Sequence, residues 1–355
     1  MRASWRFAVG DWQLRSCAFR PYVMLVSTFT FSLFHLSTFS QDIHFSQFFN
    51  TPLATGPGSI GMFDGDYRAS GVFRQQWRSV THPSRSLGLG GDAKNFLGME
   101  GLGAGVWLYN DRAGDSRLKT FHLSIGGSWT ERLGGSDEHA LTGGLQLGFT
   151  SLSLDRSALS FDSQYNGFYY DPGSDNGENF GRDAMVHADL HAGLVYRYNP
   201  APREVIQVGL GLFNLTTPDI GFLDEPGVPL DMRAAFHVIT QFPVSERVDI
   251  LPMLNYMAQG RFRELDLGGA VRLIQMEKFG LRRAVRLGAY YRAADAGYLY
   301  AGVEYDAWDV GISYDINFSD LVPASRHRGA IEFTAIYILR KTPLLPRYKA
   351  CPALM

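Results

Sequence analysis

Cysteine is almost missing from this chain, with two in 355 residues. Two thiols exclude a disulfide-stapled scaffold and a Cys-rich zinc site. Charge is also scarce: Asp, Glu, Lys and Arg make up 19% of the chain, against about 25% in ordinary globular proteins. A net charge of −2 and a pI near 6.5 exclude a basic nucleic-acid-binding domain. Beyond residue 40 there is no run of about 18 uninterrupted apolar residues, so no helical membrane span is expected. Helical periodicity is weak throughout. There is no Gly-x4-Gly-Lys-Ser/Thr phosphate loop and no Gly-x-Ser-x-Gly nucleophile elbow.

Glycine and aromatics are plentiful, with 39 Gly and 14% Phe, Trp and Tyr. An apolar content of 45% at small net charge excludes disorder over most of the chain. The first 20 residues carry Arg2, Arg6, Arg15 and Arg20 against the single acid Asp11. A Phe-rich apolar run follows over 22–39, then Ser37, Thr38 and Ser40 as a small-residue exit. This is the layout of a secretory signal peptide over 1–40, with cleavage near Ser40/Gln41; a start at Met24 stays open. His35 and several Ser/Thr make the run a poor permanent span. Cys17 precedes the apolar run rather than ending it, so lipid attachment is not indicated. Its loss leaves Cys351 as the only thiol, and the mature chain becomes more acidic.

From residue 67 onward the dominant period is two, the pleat of a half-buried strand. Phe121, Leu123, Ile125 and Trp129 share one face, and His122, Ser124 and Ser128 the other. Similar alternation runs through 145–150, 189–197, 264–273 and 309–316. The pattern predicts fourteen strands, at 67–78, 85–92, 102–110, 117–132, 138–155, 187–199, 205–214, 231–242, 247–259, 264–274, 284–293, 297–305, 308–317 and 329–339. The second is the least regular. An even number of alternating segments of about ten residues fits an all-β fold, a transmembrane outer-membrane antiparallel β-barrel of about 14 strands. Closure leaves no backbone polar group unpaired in lipid. The connections after odd-numbered strands include the longest, 156–186, 215–230 and 318–328; those after even-numbered strands are shorter. With a periplasmic N-terminus, long links face outside, the usual asymmetry of such barrels. A soluble β-sandwich or propeller is the alternative, and no internal repeat supports a propeller.

Several stretches are similar to one family. Gln41-Asp42-Ile43-His44-Phe45-Ser46-Gln47-Phe48-Phe49-Asn50-Thr51-Pro52-Leu53 resembles the mature start of the PorP/SprF family, type IX secretion system outer-membrane proteins of Bacteroidetes-type bacteria. Gly65-Asp66-Tyr67-Arg68, Phe73-Arg74-Gln75-Gln76-Trp77, Gly209–Leu215 with Pro218 and Phe222, Gln259–Gly268, Gly311–Asp315, Pro323-Ala324-Ser325 and Cys351-Pro352 continue the likeness in order. Ile43 stands where the family commonly has Pro, and Gly56–Gly61 replaces an Asn-Pro-Ala-containing stretch. The resemblance implies a non-enzymatic barrel, without cofactor, serving export and cell-surface anchoring of secreted proteins with C-terminal export domains. In gliding bacteria these include motility adhesins. It also implies periplasmic secretion components as partners.

The expected organisation is a signal peptide over 1–40, a periplasmic N-terminal motif over 41–66, a barrel over 67–339 and a basic, Pro-containing periplasmic tail over 340–355. Within 41–53, the aromatic and polar residues Asp42, His44, Phe45, Ser46, Gln47 and Phe49 are candidates for partner binding at the periplasmic mouth. Alternatively, the segment packs inside the barrel and closes its bottom. Phe168, Tyr169 and Tyr170, in an outside loop, either bind a protein partner or cap the barrel. The acids of 162–183 suit a solvated loop, since their spacing is not that of an EF-hand. Arg68, Arg74 and Arg78 share parity and are placed on the lumen, with Asp266 or Glu264 as pairing partners, because charge on the lipid face costs ~2–4 kcal/mol at the midplane. His187, Asp189, His191 and Arg197 are placed on the lumen as well; a zinc site there is the less favoured reading. A passive channel or small-molecule transporter is the main alternative function, and a barrel enzyme the third.

Overall fold

A computed structural model describes residues 42–78, 82–114, 117–134, 138–175, 181–222, 228–278, 281–320 and 322–341. The wall is one closed antiparallel sheet of fourteen strands in sequential order. The strands are β1 Tyr67–Gln76, β2 Ser84–Ala93, β3 Leu102–Ala113, β4 Leu118–Leu133, β5 His139–Ser153, β6 Ala184–Ala201 and β7 Glu204–Phe213, then β8 Arg233–Ser245, β9 Val248–Gln259, β10 Phe262–Lys278, β11 Leu281–Arg292, β12 Ala296–Tyr305, β13 Trp308–Asn317 and β14 Arg328–Leu339. The last strand closes on the first, with Tyr67 opposite Leu339 and Gln75 opposite Ile331. Among the described residues no helix is long and apolar enough to cross a membrane; the strands do so.

Side-chain period decides which surface each residue faces. On β4, Phe121, Leu123, Ile125 and Trp129 are exposed on the exterior, and His122, Ser124 and Ser128 are buried inside. The same inversion of a soluble core holds around the wall: apolar outward, polar inward, as a transmembrane barrel requires. The irregular β2 follows the rule too. Leu87 and Leu89 face out, while Ser84 and Ser86 face in. β1 ends two residues earlier than its alternation suggests. Trp77 has φ 59, a left-handed conformation that breaks the pleat. Arg78 therefore lies past the strand and is exposed. It shares no lumen face with Arg68 and Arg74.

The two rims differ. Connections 154–183, 214–232 and 318–327 lie at one rim, whereas tight turns at 202–203, 246–247 and 306–307 lie at the other. The N-terminal segment does not hang beneath the short-turn rim. It runs lengthwise through the lumen. Gly61 N–H donates to Asp92 near the short-turn end of β2, and Asp42 N–H reaches Gln259 at the long-connection end of β9. The chain leaves at the short-turn rim, where Lys341 N–H donates to Asp66 at 2.6 Å. The expected signal peptide over 1–40, Gln41, and the expected tail residues 342–355 with Cys351 lie outside the described residues.

Candidate functional site

The luminal segment is held first by charge. Ser46 and Gln47 donate their backbone N–H groups to the two oxygens of Glu332, at 2.9 and 2.7 Å. Glu332 in turn pairs with Arg74 at 3.0 Å, and Arg74 also reaches Asp315 at 3.0 Å. Ser46 Oγ donates to Asp315 at 3.0 Å and accepts from Arg292 at 2.8 Å; Arg74 donates to the same oxygen. Arg292 completes the group with Asp266 at 3.1 Å and Asp315 at 3.2 Å. Charged groups this deep persist because each has a partner and further hydrogen bonds. His44 approaches Glu264 at 3.5 Å. Burial first, then the charges of Arg292, Arg74 and Arg233, hold its imidazole well below its ordinary value. At the segment's start, Asn214 donates to Asp42 at 2.7 Å and Arg233 donates to the Ile43 carbonyl at 3.1 Å.

Below this group the segment packs by shape. Phe49 stacks on Tyr290, with centroids 5.4 Å apart, and sits edge-on to Tyr300. Phe48 joins Leu251, Met253, Tyr298 and Tyr300 in a buried cluster. Asn50 Nδ2 donates to Thr334 at 3.1 Å, and Gln47 Nε2 donates to Ser313 at 3.2 Å. Phe45, Leu53 and Ile60 form a second cluster with Val72 and Trp107 of the wall. Across the lumen the segment's backbone lies directly on wall glycines. A Cβ at Gly193 would come within 2.7 Å of Gly58 N, and one at Gly144 would meet the Pro57 carbonyl. Those two positions admit no side chain while the segment is seated.

A second charged group lines the short-turn half. Arg272 donates to Glu304 at 2.8 Å and to Asp249 at 3.0 Å. Arg203 also pairs with Asp249, and Arg286 with Asp309. Arg68 pairs with Asp92 at 2.7 Å and donates to the Ser59 carbonyl at 3.0 Å. The lumen arginines thus have other partners than those expected. Arg68 uses Asp92 and Arg74 uses Asp315 and Glu332, while Asp266 and Glu264 are taken by Arg292. Glu332, Asp315 and Arg292, which organise the group, were not singled out in the sequence. Their signal is a charged residue at lumen parity within an otherwise apolar strand.

His187 and Asp189 are bonded to each other at 3.0 Å. Thr150 gives its hydroxyl hydrogen to Asp189 at 2.7 Å and so accepts from His122 Nδ1 at 2.8 Å. His191 Nδ1 accepts the Asn214 N–H at 3.1 Å, which places the hydrogen of the neutral ring on Nε2 and leaves that atom no lone pair for a metal. Among the described residues no group of three His, Cys, Asp or Glu side chains is arranged to hold a metal ion. Arg197 lies further down β6, half-buried, bonded to Asn199.

At the long-connection rim, residues 165–170 form a small hairpin, with Tyr165 bridged to Tyr170. Asn166 Oδ1 accepts the N–H groups of Phe168 and Tyr169, both at 3.0 Å, and Gly167 turns the chain at φ 94. The turn displays Phe168 at 92% exposure and Tyr169 at 62%. Tyr170 donates to Gln164 at 3.0 Å, tying the hairpin to its base. At the root of the connection, hydrogen bonds from Ser157, then Arg117 at 3.1 Å, hold the Asp155 carboxyl below its usual range.

The family model for the type IX secretion system membrane protein PorP/SprF matches residues 37–337. No curated protein matches the chain. Among solved structures, the barrel is similar to the toluene transporter TbuX of Ralstonia pickettii at 10% identity, covering 81% of this chain and 92% of that one, with TM-score 0.44. It is similar to the CymD monoaromatic hydrocarbon channel at 8% identity, 82% and 93% coverage and TM-score 0.48. It is also similar to the translocator domain of the autotransporter NalP from Neisseria meningitidis at 13% identity, 81% and 93% coverage and TM-score 0.40.

Proposed function

The chain belongs to the PorP/SprF family of type IX secretion system membrane proteins, and on that premise we propose that it is a non-enzymatic outer-membrane anchor for a secreted surface protein. The long-connection rim faces the cell surface and receives the cargo, of the gliding or adhesin type with a C-terminal export domain. The short-turn rim and the basic tail face the periplasm and meet the secretion machinery.

The observation that supports an anchor over a passive channel is the seated segment 42–63. Solute passage through the lumen requires Ser46 and Gln47 to leave Glu332, and Phe48 and Phe49 to leave Tyr290 and Tyr300. A barrel filled along its axis acts through its two ends. At the outer end the built feature is the aromatic hairpin. Exposed rigid aromatics carry contact area at low entropic cost, and such residues dominate protein interfaces.

The test has two parts. Tagged protein extracted from native outer membranes in mild detergent is expected to bring down one dominant large secreted protein together with periplasmic secretion components. Deletion of 162–183 is expected to abolish surface retention of that protein while the barrel stays folded. A barrel recovered alone, or retention unchanged by the deletion, overturns the anchor.

A further inference from the structure

One part of the exterior gathers like charge on neighbouring strands. Gln75 on β1 lies opposite Arg85 on β2, Arg85 opposite Arg112 on β3, and Arg112 opposite Lys119 on β4. The register thus sets three cations side by side on neighbouring strands. All three are exposed and sit on the outward face, at the long-connection end. The next outward positions toward the midplane include Phe73, Leu87 and Phe121, all exposed to the membrane. Elsewhere near this rim outward strand residues are mostly uncharged, such as Ser153, Val186, Leu212, Ala258 and Tyr291; Arg263, opposite Ala258, is a lone cation whose guanidinium is tied to the Gly260 and Phe262 carbonyls of its own turn.

Depth is set by β4. Between Lys119 and Glu131 its outward residues are Phe121, Leu123, Ile125, Gly127 and Trp129. That interval is roughly 40 Å along the strand at about 3.3 Å per residue. At the usual tilt it is about 30 Å along the barrel axis, so the two charges bracket an apolar band about 25 Å tall. Lys119, and with it the row, falls at headgroup level.

Like charges directly opposite on neighbouring strands repel. Among the described residues, Arg85, Arg112 and Lys119 have no ion-pair partner. Beside the row, Arg78 and Arg328 flank an exterior cavity of about 420 Å³ over Tyr314 and Ile331. It opens because β14 continues to Arg328 after its pairing with β1 has stopped at Gln75–Ile331. An anion therefore removes repulsion as well as adding attraction.

We propose that this row is a binding surface for the phosphorylated headgroup of an outer-leaflet lipid. Three neighbouring strands span about 10 Å, room for a phosphorylated sugar headgroup. Guanidinium forks take phosphate oxygens in pairs, and Leu87 and Phe121 line the acyl chains below. From the proposed function it takes only that the long-connection rim faces outward. Binding in detergent is read without regard to sidedness, so failure here leaves the anchor standing, and the reverse.

The test uses full-length mature protein in a non-ionic detergent, titrated with phosphorylated lipid A and followed by native mass spectrometry. The expected result is saturable binding. It weakens roughly a hundredfold in the triple variant Arg85→Gln, Arg112→Gln, Lys119→Gln, at the usual strength of basic residues near anionic lipid. The same lipid stripped of phosphate is expected to bind as weakly to the native chain, and inorganic phosphate alone not to compete. Unaltered heat-dependent gel mobility shows that the variant barrel is folded; should it not fold, Arg112→Gln alone is expected to lose about fivefold. Equal binding by native and variant chains overturns the proposal. So does equal binding of the phosphate-free lipid, or displacement of the lipid by inorganic phosphate. Displacement by an acidic peptide at equal concentration gives the surface to an acidic protein instead.

Discussion

Glu332 accepts the backbone N–H of Gln47 at 2.7 Å across 285 positions of sequence. A strand side chain thereby does for a luminal loop what a neighbouring strand does for a sheet. Its other oxygen takes Ser46 N–H and Arg74 together, so one carboxylate ties segment, wall and charge group.

Replacing Glu332 by Ala leaves two buried amides and one guanidinium without that acceptor. Breaking a buried pair costs about 3–5 kcal/mol. Amide hydrogen exchange over 44–50 is expected to accelerate accordingly, with exchange of the wall strands unchanged. Thr334→Ala, which removes two neutral hydrogen bonds, one to Gln47 and one from Asn50, is expected to cost only about 2 kcal/mol. Equal effects of the two substitutions contradict the central place of Glu332.

Gly193→Val and Gly144→Val introduce side chains where the backbone of Pro57 and Gly58 now lies. Both positions are in strands, where valine is well tolerated. The wall is expected to form while the segment is displaced. In planar bilayers the native protein is expected to be closed and the variants to conduct. A native protein that conducts as freely as the variants contradicts an occupied lumen.

His44 provides a pH dependence with a definite sign. Burial and the nearby arginines lower its folded value below 6.5. Its neutral form is therefore the one the seated segment accepts, and its contribution to seating is complete above about pH 6.5. The contribution is lost as pH falls below that value toward the lowered folded one. Exchange protection of 42–50 is expected to decline with acidification, and His44→Gln to flatten the decline. The same decline in His44→Gln assigns it to other groups.

Phe168→Ala with Tyr169→Ala removes the exposed tip of the hairpin while keeping Asn166 and its turn. Hot-spot aromatics cost 2 kcal/mol or more on truncation, about thirtyfold in affinity. Cargo recovered with the barrel is expected to fall by that order, with unfolding temperature unchanged. Full recovery moves the docking surface elsewhere on the rim.

The wall was legible because β-structure in a membrane is a problem in parity. Every second residue faces lipid, and a charge placed there is costly, so Leu123, Ile125, Leu145 and Leu147 declare their side without any knowledge of neighbours. The failures are at ends and partners. Trp77 and Arg78 read as strand because alternation continues through them, but a positive φ at Trp77 ends the pleat. Arg74 was paired with the wrong acids because parity says only that a side chain points inward, not which of thirteen other strands it meets. Sequence distance carries no information there: Arg74 and Glu332 lie 258 positions apart and touch because β14 closes on β1.

The sequence by itself determined the type of wall, the number of strands and the longer rim, since each follows from local period and connection length. Only the tertiary structure decided that residues 42–63 thread the lumen rather than lie beneath it. That outcome depends on closure. Glycines on β5 and β6, acids on β13 and β14 and tyrosines on β11 and β12 act on one segment together only once the sheet has become a ring.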